Sequence, residues 1–151
     1  MTAEPRKRLF IGIHYRPVDS VLRLLDDLRE LAADPASGLR PVPPDNLHIT
    51  LCFLGSVPAT DVAMIGQVMD QSLAGKSGFP LRLASFGCFR QALWLGVEQS
   101  DPLEKLVASL RLGLAAVGFA DDDKPYRPHL TVARLRQAAR LKLSDLQSAA
   151  G

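Results

Sequence analysis

The fold is decided by two segments, Asn46-Leu47-His48-Ile49-Thr50-Leu51 and Pro128-His129-Leu130-Thr131-Val132. Each is a short, mainly apolar run of the kind that forms a β-strand. Side chains two residues apart in a strand point to the same face. Each segment therefore presents one imidazole and one hydroxyl on one face, and its apolar residues point to the core: Ile49, Leu51, Leu130 and Val132.

The two His-x-Thr segments occupy equivalent places in an internal repeat. Leu9-Phe10-Ile11-Gly12-Ile13 is similar to Leu93-Trp94-Leu95-Gly96-Val97, and apolar residues at helical spacing follow each run. We expect Asp19 or Ser20 to cap the first helix, and Asp101 followed by Pro102 to open the second. The repeated unit is thus a strand, a helix and a His-x-Thr strand.

The second copy of the repeat is shorter than the first. A helix (about 59–73) and a strand (about 79–89) follow the first copy, whereas no counterpart strand follows the second. An unpaired strand at a sheet edge is prone to association with other chains. Either the second lobe is built asymmetrically, or it is incomplete and the natural chain continues beyond Gly151. We expect the second of these.

Composition indicates a single domain of ordinary globular type, with 47% hydrophobic and 23% charged residues. No apolar run approaches the ~20 residues of a membrane span, and the polar N-terminus does not resemble a signal peptide. Cys52 and Cys88 fit no metal or redox spacing. We expect a cytoplasmic monomer without cofactor or metal. Six basic residues and one acidic residue follow Asp123, which is compatible either with steering of a phosphate ligand or with a solvated surface.

Paired histidines suit acid–base chemistry on a phosphodiester. The imidazole of histidine titrates near pH ~6.5, so that one of a pair can act as base while the other acts as acid. The hydroxyls of Thr50 and Thr131 would donate hydrogen bonds to non-bridging phosphate oxygens. Neither a nucleophilic side chain nor a metal is required, because a neutral histidine can activate water. The alternative is a structural His–Thr hydrogen bond kept in both copies, and the equivalent placement of the two motifs favours catalysis.

The chain resembles the two-histidine phosphoesterases, specifically the RNA 2′,3′-cyclic phosphodiesterases first described as 2′–5′ RNA ligases. The residues that carry the resemblance span nearly the whole chain: Arg8-Leu9-Phe10, Asn46 to Leu51 with Phe53-Leu54-Gly55, Leu93 to Val97, and Tyr126 to Arg134. The resemblance implies an α+β fold with two pseudo-twofold related lobes, antiparallel sheets and a central cleft. Lobe 1 would span about residues 15–90, and lobe 2 about 91–151 with the N-terminal strand.

The resemblance also implies residue roles and a substrate. His48 would be the general acid that protonates the leaving 3′-oxygen, and His129 the base that activates water. Arg134 would bind the substrate near the phosphate, although simple strand alternation puts it on the face opposite His129 unless a bulge or a strand end intervenes. Cys52 stands where the family often has a lysine. The implied reaction is hydrolysis of a terminal 2′,3′-cyclic phosphate on RNA or a nucleotide to a 2′-phosphate.

Two aromatic residues have two interpretations each, and two alternative functions are compatible with the sequence. Phe10 and Trp94 are equivalent in the repeat. Core packing is the favoured interpretation for both, and stacking of one of them on a nucleobase is the alternative. The first alternative function is a 2′–5′ RNA ligase or phosphodiesterase acting on another substrate. The second is a non-catalytic module that binds RNA ends. We expect RNA ends or nucleotides, and no membrane, as partners.

Overall fold

The computed structural model describes residues 4–89, 91–119 and 124–136, which form three α-helices, three short 3-10 helices and six strands. The helices are α1 (Asp19–Ala32), α2 (Val62–Leu73) and α3 (Asp101–Ala116). The strands are β1 (Arg6–His14), β2 (Leu39–Pro41), β3 (His48–Pro58), β4 (Leu83–Phe89), β5 (Ala92–Val97) and β6 (His129–Leu135). The α+β class predicted from the sequence is confirmed.

The chain divides into two compact units whose segments interleave. Unit 1 takes the described residues within Met1–Gly12, Thr50–Leu81 and Gln99–Arg127. Unit 2 takes those within Ile13–Ile49, Arg82–Glu98 and Pro128–Gly151. Strand β3 therefore begins in unit 2 and continues into unit 1. The predicted lobe limits (15–90 and 91–151) stay a prediction, and the predicted incompleteness of the second lobe concerns residues outside the described ones.

Unit 2 is organised around strand β6. On one side β6 pairs with β5, and β5 pairs in turn with β4. On its other side β6 pairs with β2 and then, through Ile49 and Leu130, with the start of β3. All of these pairings are antiparallel. The amphipathic helix α1 lies beside β2 and buries Val21, Leu24, Leu25 and Leu28.

Unit 1 contains most of β1 and β3, which are neighbours, and the helices α2 and α3. The two helices approach closely at Gly113, where an added Cβ would lie 2.8 Å from Val68 Cγ1. Five residues of α3 are buried: Leu103, Leu106, Val107, Leu110 and Leu114. These are the apolar positions at helical spacing, so the sequence pattern identified the buried face of α3.

The predicted orientation of the His-x-Thr strands is confirmed for their apolar residues. The four residues assigned to the core are at most 5% exposed: Ile49, Leu51, Leu130 and Val132. His48 and Thr50 are half-buried, as is Thr131, whereas His129 is exposed. The alternation of strand side chains therefore holds across both motifs.

The predicted helix caps are wrong by one or two residues. Val18 occupies the N-cap of α1 in an extended conformation and makes no side-chain cap hydrogen bond, so Asp19 already lies in the first helical turn. Ser100 caps α3, and its hydroxyl accepts a hydrogen bond from the backbone N–H of Leu103. Asp101 is thus the first residue of the helix, where its charge favours the positive end of the helix dipole.

The bounds of α2 and β4 also differ from the sequence-based limits. Residues 59–61 form a 3-10 turn, so that α2 begins at Val62 and not near 59. Strand β4 begins at Leu83 and not near 79, because Pro80 has no backbone N–H to donate to a sheet.

Candidate active site

His129, Thr131 and Arg134 of β6 lie on one face of the unit 2 sheet. Their pairing with the regular strand β5 establishes this. Gly96 stands opposite His129, Trp94 opposite Thr131, and Ala92 opposite Arg134. Positions 92, 94 and 96 of β5 share one face, while Leu93, Leu95 and Val97 are buried on the other. The β6 residues across from them, His129, Thr131 and Arg134, therefore share that face too. We call it the histidine face.

A β-bulge in β6 brings Arg134 to the histidine face. Leu93 pairs with Ala133 and the next residue, Trp94, pairs with Thr131, so that Val132 is an extra residue on β6. Val132 and Ala133 are consequently both buried, and the exposed–buried alternation resumes one residue later with Arg134 exposed. The bulge thus interrupts the strand alternation that put Arg134 on the face opposite His129, and it brings Arg134 to the same face as His129.

His48 joins the histidine face from β3. Ile49 pairs with Leu130 in antiparallel register, which puts His48 across from Thr131. Residues directly opposite in such a pair have Cβ atoms about 5 Å apart, and diagonal neighbours are about 7–8 Å apart. His48 and His129 are diagonal neighbours by this register. Their separation suits a phosphate group lying between two imidazoles.

A hydrogen bond to the backbone fixes the tautomer of His48. Its Nδ1 lies 2.9 Å from the carbonyl oxygen of Asn46. A carbonyl oxygen only accepts hydrogen bonds, so Nδ1 carries a hydrogen and donates it. Nε2 is then the nitrogen whose protonation state changes in acid–base chemistry.

Trp94 lies beside His129 on the histidine face and is not part of the core. The two ring centroids are 6.0 Å apart and the ring planes are tilted by 57°, within the range of favourable aromatic pairs. The indole lies over Gly87 of β4, which faces it across the strand pair: a Cβ added at Gly87 would overlap the indole ring. Trp94 is half-buried, which leaves part of its surface available to a ligand.

The remaining predicted residues belong to unit 1. Thr50 follows His48 by two residues along β3 and is half-buried. Phe10 is 48% exposed on β1, so that core packing, the favoured interpretation for this residue, is wrong. Cys52 is buried at 8% exposure.

Tyr126 supports the first motif from within unit 1. Its hydroxyl donates a 2.8 Å hydrogen bond to the carbonyl oxygen of Thr50. Burial, and next the nearby Cys52 thiol, raise the pKa of Tyr126 to about 12, while Arg111 opposes the shift. The sequence placed Tyr126 next to the second motif, but no local signal shows that its hydroxyl reaches the backbone of the first.

We expect Tyr126→Phe to destabilise the protein near pH 8 by about 1 kcal/mol, because one part-buried hydrogen bond is lost. The raised pKa reverses the order at high pH. Stability from the protonated phenol is fully present below pH 10 and is lost as the pH rises through about 12. The variant should become the more stable protein in that window. Urea unfolding at about pH 8 and about pH 11.5 measures both effects.

The control for this prediction is Tyr15→Phe, which removes the other tyrosine of the chain. Equal pH dependence of unfolding in the wild type and in Tyr126→Phe would contradict the role given to the Tyr126 hydroxyl.

The described residues contain neither a cluster of metal-ligand side chains nor a membrane-spanning helix. Within 4–89, 91–119 and 124–136, no three His, Cys, Asp or Glu side chains are grouped as metal ligands. No helix of that part of the chain combines the length and apolar character needed to cross a bilayer.

An α+β fold with two His-x-Thr motifs on antiparallel strands is typical of the two-histidine phosphoesterases. Comparison with known proteins supports this class. The family model of the 2′-5′ RNA ligase superfamily matches residues 17–150. The chain therefore belongs to this superfamily, which confirms the resemblance inferred from the motifs.

Individual relatives are phosphodiesterases by name. The chain is 31% identical over 134 residues to the RNA 2′,3′-cyclic phosphodiesterase of Thermotoga maritima, covering 85% of this chain and 70% of that protein. The crystal structure of TT0787 of Thermus thermophilus superposes with a TM-score of 0.70 at 27% identity, over 90% of this chain and 77% of that one. Escherichia coli LigT complexed with 3′-AMP superposes with a TM-score of 0.64 at 30% identity, over 91% and 76%. The predicted enzyme class, a hydrolase of phosphodiesters, agrees with these names.

Proposed function

We propose that this protein hydrolyses 2′,3′-cyclic phosphates on RNA ends or nucleotides to 2′-phosphates, with His48 as general acid and His129 as general base and without a metal. The observation that carries the proposal lies within unit 2. His48 and His129 come from neighbouring strands, and their register makes them diagonal neighbours on one face, with Thr131 of β6 directly opposite His48.

The proposed reaction needs two proton transfers and one displacement at phosphorus. His129 accepts a proton from water as the water oxygen forms a bond to phosphorus. The bond from phosphorus to the 3′-oxygen breaks, and Nε2 of His48 gives its proton to that oxygen. The products are a 2′-phosphate monoester and a free 3′-hydroxyl. The two histidines account for both proton transfers, so the proposal requires no Lewis acid.

The neighbouring residues would position the substrate. Thr131 stands beside both histidines, and its hydroxyl would donate to a non-bridging oxygen, as would that of Thr50. Trp94 adjoins His129 and offers a partly exposed ring for stacking on the terminal base. Phe10 is also exposed enough to stack on a base. Arg134 would bind a phosphate of the substrate from the same face.

The relatives support the substrate class. The named activity of the Thermotoga maritima relative is that of an RNA 2′,3′-cyclic phosphodiesterase, and the LigT structure holds a nucleotide, 3′-AMP. The geometry of the histidine face supplies acid–base groups for chemistry of this kind.

The test is incubation of the wild-type protein with an RNA oligomer that ends in a 2′,3′-cyclic phosphate, with EDTA present throughout. We expect a product with a 2′-phosphate and no 3′-phosphate, because the 3′-oxygen is the leaving group. Chromatography against synthetic 2′- and 3′-phosphate oligomers identifies the product.

Other products would favour the alternatives. A 3′-phosphate would reverse the assignment of the leaving oxygen, and loss of turnover with EDTA would overturn metal independence. Tight binding of the oligomer without product would favour the RNA-end binding module. Formation of a 2′–5′ linkage from two RNA ends would favour the ligase.

A further inference from the structure

Two arginines stand side by side on the histidine face. Arg40 of β2 is the direct cross-strand partner of Arg134 of β6, and both side chains are exposed. Partners of this kind point to the same face, with Cβ atoms about 5 Å apart. Like charges at such positions destabilise a sheet. Among the described residues neither arginine forms an ion pair, since the salt bridge found there joins Arg29 and Asp26.

The arginine pair is offset from the histidines by two residues in the direction of the strands. Counting on the regular strand β5, Arg134 is opposite Ala92 while Thr131 is opposite Trp94, two residues away. Two residues of strand span about 7 Å. A phosphate held between His48 and His129 is therefore displaced from the arginines by roughly the reach of one nucleotide. The arginines would then meet a second phosphate and not the reacting one.

We propose that Arg40 and Arg134 form a clamp for the phosphate on the 5′ side of the terminal nucleoside. This inference rests on the proposed function and deepens it, because it names the part of an RNA end that a simple cyclic nucleoside phosphate lacks. Two guanidinium groups offer planar, paired donors that match the oxygens of a phosphate. A bound phosphate would also neutralise the repulsion between the two side chains.

The clamp explains how one site distinguishes RNA ends from small cyclic nucleotides. The reacting group is the same in both, so His48 and His129 contribute equally. Only a substrate with a 5′-phosphate or phosphodiester contacts Arg40. The preference for RNA ends would thus reside in β2, a strand of three residues that carries no part of either His-x-Thr motif.

The test compares two product-like ligands, adenosine 2′-phosphate and adenosine 2′,5′-bisphosphate, by calorimetry. We expect the wild type to bind the bisphosphate at least about tenfold more tightly, because charge-assisted hydrogen bonds to the second phosphate are added. In Arg40→Ala most of this ratio should be lost, and Arg40→Lys should keep part of it. The salt dependence of bisphosphate binding should also weaken in Arg40→Ala.

The matched control is Arg23→Ala, which removes the same charge from an exposed position on α1. It should keep the wild-type ratio, whereas an equal loss in both variants would show a non-specific charge effect and overturn the clamp. A wild-type ratio near one would also overturn it.

Turnover separates this inference from the proposed function. Cleavage of adenosine 2′,3′-cyclic phosphate with and without a 5′-phosphate is measured on the same proteins. If the binding ratio depends on Arg40 but neither substrate is cleaved, the clamp stands and the proposed hydrolysis fails. If both substrates are cleaved with a ratio that Arg40→Ala leaves as it was, the hydrolysis stands and the clamp fails.

Discussion

Replacing His48 or His129 by alanine is expected to lower kcat/KM for a cyclic-phosphate RNA end by about 10²- to 10⁴-fold, the usual contribution of one general acid or base. The two groups act in one displacement, so the double variant should be little slower than the worse single variant. Each single variant should also lose one limb of a bell-shaped pH–rate profile, because one proton transfer is no longer catalysed. Steady-state kinetics over pH 5–9, a range of about four units, is the measurement.

The fold should survive both substitutions. His129 is exposed and His48 half-buried, and neither contributes to the apolar core. Unfolding free energies should therefore change by no more than about 1 kcal/mol. His14→Ala is the matched control, since His14 is the third histidine, exposed at the end of β1. Near wild-type turnover in both single variants would exclude the His–His mechanism.

The sequence alone was sufficient to predict that the two histidines lie on the polar faces of equivalent strands, because two features of the sequence agree there. Strand alternation fixes which side chains share a face, and the repeat indicates that two such strands occur in equivalent places. Ile49 and Leu130 are buried as the pattern requires, and they are the residues that pair β3 with β6. The core face and the polar face of each motif thus follow from hydrophobic periodicity alone.

Arg134 shows where the local rules stop. A bulge depends on the partner strand, and the run Val132-Ala133 has no glycine or other residue that marks an inserted position. The pairing of Arg40 with Arg134 is still less visible, because it joins residues 94 positions apart through the register of a three-residue strand. Registers between distant segments are set by tertiary packing and not by local sequence.

Trp94 required similar information. From its position in the repeat, core packing is favoured over a role in the site, and the residue that decides between the two is a glycine on another strand. Gly87 is not part of a recognisable motif. Because glycine has no Cβ, the indole of Trp94 can lie over position 87, beside His129. The N-cap of α1 was predicted wrongly for a simpler reason. Val18 has the extended backbone that an N-cap needs, but it lacks the polar side chain by which an N-cap is usually recognised in a sequence.

Gly87→Ala is therefore expected to displace Trp94 without unfolding the protein. A methyl group at position 87 would overlap the six-membered ring of the indole, and the half-buried ring has solvent on one side into which it can rotate. The cost of such overpacking is typically about 1–3 kcal/mol, and rotation of the side chain should keep it at the low end. Ligand binding at the histidine face should be affected more than the free energy of unfolding, because Trp94 loses its contact with His129.

Fluorescence reports this displacement directly, since Trp94 is the one tryptophan of the chain. We expect a red-shifted emission and stronger quenching by acrylamide in Gly87→Ala. Binding of adenosine 2′-phosphate should weaken by about fivefold to 150-fold, which corresponds to the loss of one stacked base. Gly66→Ala is the control, because a Cβ at Gly66 meets no atom within 4 Å and alanine favours the helix α2. If Gly87→Ala kept the wild-type emission and ligand affinity, the indole would not depend on the glycine, and stacking on Trp94 would lose its structural basis.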